Sequence, residues 1–131
     1  MAASLTTTNI VNGSKRLIVH GTILSDGDEL ANEEIYDFSG DSLAVSAAGV
    51  KINQVWFSNP TAGGQIFVEF VGGSADKLAC GSGFNGNDHQ DFRDFGGIPN
   101  HAASPTGDIS ITTKGFDNLD QAVVILDISR T

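Results

Sequence analysis

Asp88, His89 and Asp91 lie within four positions of one another, in the run Asn85-Gly-Asn-Asp-His-Gln-Asp91, and bring two carboxylates and an imidazole together. A calcium or transition ion could use such groups. Turn-rich loops select the same residues, because acidic and amide side chains bond to nearby backbone, and that account is favoured here. A second acidic run, Asp26, Asp28, Glu29, Glu33, Glu34 and Asp37, invites a calcium-loop reading. However, Ala31 stands where an EF-hand needs glycine, and no helices flank the run. A solvated acidic face is expected instead, and no metal or cofactor is assigned.

Nucleophilic catalysis needs a serine or cysteine, a histidine and a carboxylate brought together in space. His20, His89 and His101 are scattered along the chain, and nothing marks a nucleophile beside them. Lys77, the only basic residue near Cys80, is three positions away and points to the opposite face of a strand, so Cys80 is expected to be packing material. The pairs Gly63-Gly64, Gly72-Gly73 and Gly96-Gly97 lack the lysine and helix that follow a phosphate-binding loop, and read as turns. Trp56, the single tryptophan, could stack on a sugar, but a core or interface role is favoured. The chain is not expected to be an enzyme.

The elements that must position these groups are strands. Short apolar runs closed by glycine, asparagine or aspartate span 16–24, 34–38, 42–47, 50–58, 65–71, 77–80, 108–114 and 121–129. Such a series predicts an all-β, antiparallel β-sandwich of about eight strands. In 16–24, Leu17, Val19 and Ile23 share one face, and Ile18, His20, Thr22 and Leu24 the other. Tyr36 and Phe38 fall on a common side. Along 50–58 the apolar phase slips near Asn53-Gln54, which predicts a β-bulge there. The runs 50–58 and 65–71 read as a central hairpin, with Trp56, Phe67 and Phe70 as its largest apolar pieces.

Residues 81–106 show no sustained alternation, which predicts one long anchored loop. Phe84, Phe92, Phe95 and Ile98 would pack onto the sandwich, with Arg93 paired to a nearby carboxylate. The Ser/Thr-rich lead-in reads as an extended N-terminal arm over 1–14, ahead of a single β-sandwich domain over 15–131. Within the arm, Leu5, Ile10 and Val11 have no evident local partner and are expected to order against a neighbour.

The bulk properties narrow the function classes. A chain of 131 residues makes one domain. One cysteine forms no internal disulfide, and the start lacks the basic patch and apolar core of a signal peptide. No apolar run approaches the roughly 20 residues of a membrane helix, so a soluble cytosolic product with no membrane partner is expected. The net charge of −9, from 16 acidic against 7 basic residues, would repel phosphate backbones, and nucleic acid is not expected as a partner.

Three stretches, Asp91-Phe-Arg-Asp-Phe-Gly-Gly-Ile-Pro-Asn100, Thr106-Gly-Asp-Ile-Ser-Ile-Thr-Thr-Lys-Gly115 and Ala122-Val-Val-Ile-Leu-Asp-Ile128, carry a resemblance. Together with Lys15-Arg-Leu-Ile-Val-His20 and Val55-Trp-Phe57, they resemble small virion proteins of tailed bacteriophages, especially marine ones. The resemblance spans nearly the whole chain. It implies a sandwich, often of jelly-roll type, present in many copies as a head decoration or cement protein. Such a protein would be made in the host cytoplasm and sit on the outer capsid surface, bridging major capsid protein subunits, commonly as a symmetric homo-oligomer. Leu5, Ile10 and Val11 would then be candidate capsid contacts. Two other readings stay open: a carbohydrate-binding module using the 81–106 loop and Trp56, and a tail or neck structural protein.

Overall fold

The computed structural model describes residues 4–13 and 15–130, without the side chains of 80–82. Alternating apolar residues build ten strands among them: β1 (Ser4–Asn12), β2 (Arg16–Leu24), β3 (Glu33–Tyr36), β4 (Lys51–Asn59), β5 (Gln65–Ala75), β6 (Lys77–Phe84), β7 (Gly86–Asp91), β8 (Ile98–Pro99), β9 (Ala103–Lys114) and β10 (Gln121–Ser129). The larger sheet has the order β1-β2-β10-β4-β7, with the short β8 beside β4, and the smaller sheet the order β3-β9-β5-β6. Every pairing is antiparallel. The two sheets pack face to face as a β-sandwich.

The core lies between the sheets, where a period of two buries alternate residues. Leu17, Val19 and Ile23 of β2 and Ala122, Val124, Leu126 and Ile128 of β10 point inward. They meet Ile35 of β3, Ile109 and Ile111 of β9, and Ile66, Val68 and Phe70 of β5. Each such side chain taken from water contributes about 1.5–3 kcal/mol before chain entropy is charged against it. The expected faces of the 16–24 run hold, and Tyr36 is buried with Phe38 packed beside it. The phase slip in β4 is a bulge at Asn53: Gln54 pairs with Asp127 and Ile52 with Ile128, leaving Asn53 extra.

Four expectations differ from the structure. First, 50–58 and 65–71 are not a hairpin, because β4 and β5 belong to opposite sheets. Buried Asn59 shapes the crossing: its Nδ2 donates to the carbonyls of Gly64 (2.9 Å) and Phe84 (2.7 Å), and its Oδ1 accepts from the Thr61 hydroxyl (2.7 Å). Second, 42–47 is a turn and not a strand. Asp41 holds it by accepting from the Leu43 amide at 3.0 Å, and Leu43 and Val45 face solvent.

Third, the supposed loop 81–106 carries the end of β6, all of β7 and β8, a 3-10 turn at Arg93–Phe95 and the start of β9. Phe84 is buried and stacked on Phe57 (4.5 Å between centroids), and Phe92 and Ile98 pack on the core, but Phe95 is 67% exposed. Fourth, residues 4–12 have a local partner, since β1 pairs with β2 along its whole length. Leu5 packs against the core, whereas Ile10, 56% exposed, is the extra residue of a second bulge, and Val11, 41% exposed, lies opposite Ile18.

Candidate docking face and its polar network

The outward side of the larger sheet is the surface on which the sequence-derived candidates meet. Register places His20 of β2, Ile125 of β10, Trp56 of β4 and His89 of β7 in one row across four strands. The neighbouring row is Thr22, Val123, Ser58 and Asn87, and the one on the other side is Ile18, Asp127, Gln54 and Asp91. Trp56, Ile125, Val123 and Ile18 are half-buried, so an apolar strip runs through the middle of a polar face. A shallow depression of about 250 Å³, lined by Trp56, Val123, Ile125, Ser58 and Asn87 among others, indents it.

A polar chain stiffens the face. Arg16 forks onto Asp127, with Nε to Oδ1 at 2.9 Å and Nη2 to Oδ2 at 2.8 Å. Gln54 Nε2 donates to Asp127 Oδ2 at 2.8 Å, and since a carboxylate only accepts, this fixes the orientation of the amide. Gln54 Oε1 therefore faces His89 Nε2, 2.9 Å away, and it is Nε2 that carries the hydrogen and donates. The His89 ring lies flat on Trp56, with centroids 4.8 Å apart and planes within 4°. Trp56 is thus locked by stacking on one side and by its row neighbours on the other.

Burial opposes ionisation of Asp127, but the hydrogen bonds from Arg16 and Gln54 outweigh it and hold the carboxyl below its ordinary range. Burial likewise opposes ionisation of Asp41, and bonds from Tyr36, the Leu43 amide and Arg130 again prevail. Exposed Asp91 is drawn down to about 2 by its hydrogen bonds from Arg93, the carboxylate partner expected for that arginine. Glu34 has the opposite sign: burial, then the nearby charges of Asp108 and Asp37, raise it.

These directions set the acid limb of stability. A carboxyl whose folded pKa is depressed stabilises the fold above its unfolded value of 3.8, and that contribution is lost as pH falls from 3.8 through the folded value. Glu34, raised on folding, destabilises slightly at neutral pH and is relieved as pH falls through its folded value toward its ordinary 4.5. Melting temperature, followed by circular dichroism, should stay level or rise slightly from pH 7 to 4.5 and decline below 3.8. A decline beginning above pH 5 would contradict this assignment.

Of the remaining candidates, Glu34 and Asp37 come together, beside Asp108, and the others stay apart among the described residues. Glu34, Asp37 and Asp108 place carboxylate oxygens within 4.8 Å of one another, whereas Asp26 accepts from the Asp28 amide and Glu29 from the Phe116 amide, each in its own turn. Asp88 caps the His89 amide at 2.8 Å, and Asp91 holds Arg93, so the Asp88-His89-Asp91 run does not point three ligands at one centre. His101 packs perpendicular to Phe70 of the smaller sheet, with ring centroids 5.8 Å apart, whereas His20 stands on the larger one. The side chain of Cys80 lies outside those described. Sequence reasoning missed Gln54, Asp127 and Arg16 as a unit; Asp127 in an otherwise apolar final strand was the available signal.

The chain matches no protein-family model, no curated protein and no solved structure.

Proposed function

We propose that this chain is a structural virion protein of a tailed-bacteriophage head, a capsid decoration or cement protein that binds the major capsid protein shell from outside. The observation that carries this reading is the outward face of the larger sheet, where Trp56, Ile125, Val123 and Ile18 form a half-exposed apolar strip on a surface braced by side-chain hydrogen bonds. Apolar and aromatic centres with polar rims are what protein interfaces use. Val11, one of the candidate contacts, lies at the rim of this face, while Leu5 is engaged in the core.

The winding of the chain supports the jelly-roll form of the sandwich. The chain crosses between sheets at most of its steps, β5 to β6 being an in-sheet exception, so that β2-β10-β4-β7 faces β3-β9-β5-β6, as in a double-sheet roll of eight strands. Such rolls serve in capsids and in lectins alike, which keeps the carbohydrate-binding reading as the rival, now with the Trp56 depression as its site.

Purified chain should bind capsids assembled from the major capsid protein of the same phage. Ile125→Asp, which puts a charge in the apolar strip, should weaken binding about 100-fold while leaving the melting temperature within a few degrees. Unchanged capsid binding by that variant, or specific glycan binding without affinity for capsids, would refute the proposal. Copy number separates head from tail: hundreds per particle fit the shell, a single ring's worth the tail or neck.

A further inference from the structure

The sandwich has four sheet edges, and they are unequally protected. An edge strand presents a row of unpaired amides and carbonyls, and proteins commonly blunt it with charge, proline or short length. β7 carries Asp88 and Asp91, and β3 is four residues long and begins Glu33-Glu34. β6 starts at Lys77 and meets β5 through two register shifts. β1, Ser-Leu-Thr-Thr-Thr-Asn-Ile-Val-Asn, has nine residues, no charge, no proline and no glycine. Among the described residues it pairs only with β2, and all but Leu5 of it is exposed. Its register with β2 runs unbroken from Ser4 to Asn9 before the bulge at Ile10.

We infer that β1 pairs antiparallel with β1 of a second copy, joining the two larger sheets into one across a two-fold axis. The occupant follows from charge and symmetry. With a net charge of −9, two copies repel wherever acidic edges meet, and β1 is the long edge without charge. An antiparallel pair of identical strands is self-complementary, so a two-fold axis near Thr7 sets Thr6 against Thr8 of the second copy and closes the assembly at two. Threonine pairs across strands are themselves favourable.

The geometry has a consequence for docking that rests on the function proposed above. Directly opposed residues of an antiparallel pair point to the same side of the sheet. The two-fold axis therefore runs through the sheet, and the Trp56 faces of both copies look the same way. Such a dimer grips a surface twice.

The test uses the full chain. Light scattering after size exclusion should give twice the 13.7 kDa chain mass. The double variant T6K/T8K, whose substituted positions are exposed, should weaken dimerisation at least 100-fold, and so should T6E/T8E. An equimolar mixture of the two variants should recover the dimer, which two unfolded proteins would not do. Independently, hydrogen exchange of the wild-type chain should show amides in 4–9 that lose protection on dilution, while β2 does not change. A monomeric wild-type chain, an oligomer indifferent to both double variants, or exchange in 4–9 independent of concentration would overturn the pairing. Each of those results leaves capsid binding by the Trp56 face to be judged on its own assay.

Discussion

Arg130→Met should lower the stability of the fold by about 3–5 kcal/mol, the cost of breaking a buried ion pair from one side. Arg130 is 2% exposed, at the end of the last strand. Its Nη1 donates to both oxygens of Asp41 (3.2 and 3.0 Å) and to Asn12 Oδ1 (2.9 Å), and Nη2 donates to the Gly13 carbonyl. Asp41 in turn accepts the Tyr36 hydroxyl at 2.7 Å. Burial and this acidic partner push the Tyr36 hydroxyl well above its usual pKa. One guanidinium thus ties the tail of the chain to the end of β1, the turn after β3 and the tyrosine beneath it. Methionine fills most of the volume but leaves Asp41 with only its neutral donors Tyr36 and Leu43 and takes the Arg130 donor from the Gly13 carbonyl, so the loss is chiefly electrostatic. Urea unfolding of Arg130→Met, with Asp41→Asn/Arg130→Met beside it, checks this: the double variant should recover part of the loss. A change below 1 kcal/mol for the single variant would show the pair to be dispensable.

Gly72→Ala should cost about 3 kcal/mol or more, while Gly73→Ala, one residue on, should stay within about 0.5 kcal/mol. A Cβ on Gly72 would stand 2.1 Å from the Ala75 carbonyl oxygen and 2.4 Å from that of Ala103. Both are backbone atoms, held from two directions where β5 and β9 come together between register shifts. Neither can give without breaking the ladder. A Cβ on Gly73 meets nothing nearer than 3.5 Å, an ordinary contact. The contrast isolates steric fit, since neither glycine has a positive φ. Thermal melts of the two variants suffice, and equal melting temperatures would contradict the close approach.

Legibility in the sequence followed the strength of alternation. β2, β10 and the second half of β9 show their alternating apolar residues plainly, and the bulge at Asn53 is visible because a buried strand cannot change phase without one. β7 was hidden for the converse reason: Gly-Asn-Asp-His-Gln-Asp buries almost nothing, and its strand state comes from backbone pairing to β4. β1 was hidden by its threonines, which suit a strand and a polar arm alike. Leu43 and Val45 alternate as a strand would, but the Leu43 amide is claimed by Asp41 for a turn and the Val45 amide by the Arg130 carbonyl. The candidate face was half legible. Trp56 could be named from the sequence, but the meeting of Arg16, Gln54 and Asp127 depends on which strands become neighbours.

That β10 lies between β2 and β4 bears on how the protein is made. Arg16 and Asp127 are 111 positions apart, yet they close the same patch of sheet. While the ribosome is still extending the chain, β2 and β4 have no shared neighbour, and their apolar sides are open to other nascent polypeptides. The larger sheet can close only once residues 121–129 have left the exit tunnel. Topologies of such high contact order fold slowly, so newly made copies spend their most vulnerable interval with every strand emerged but the sheets unfinished.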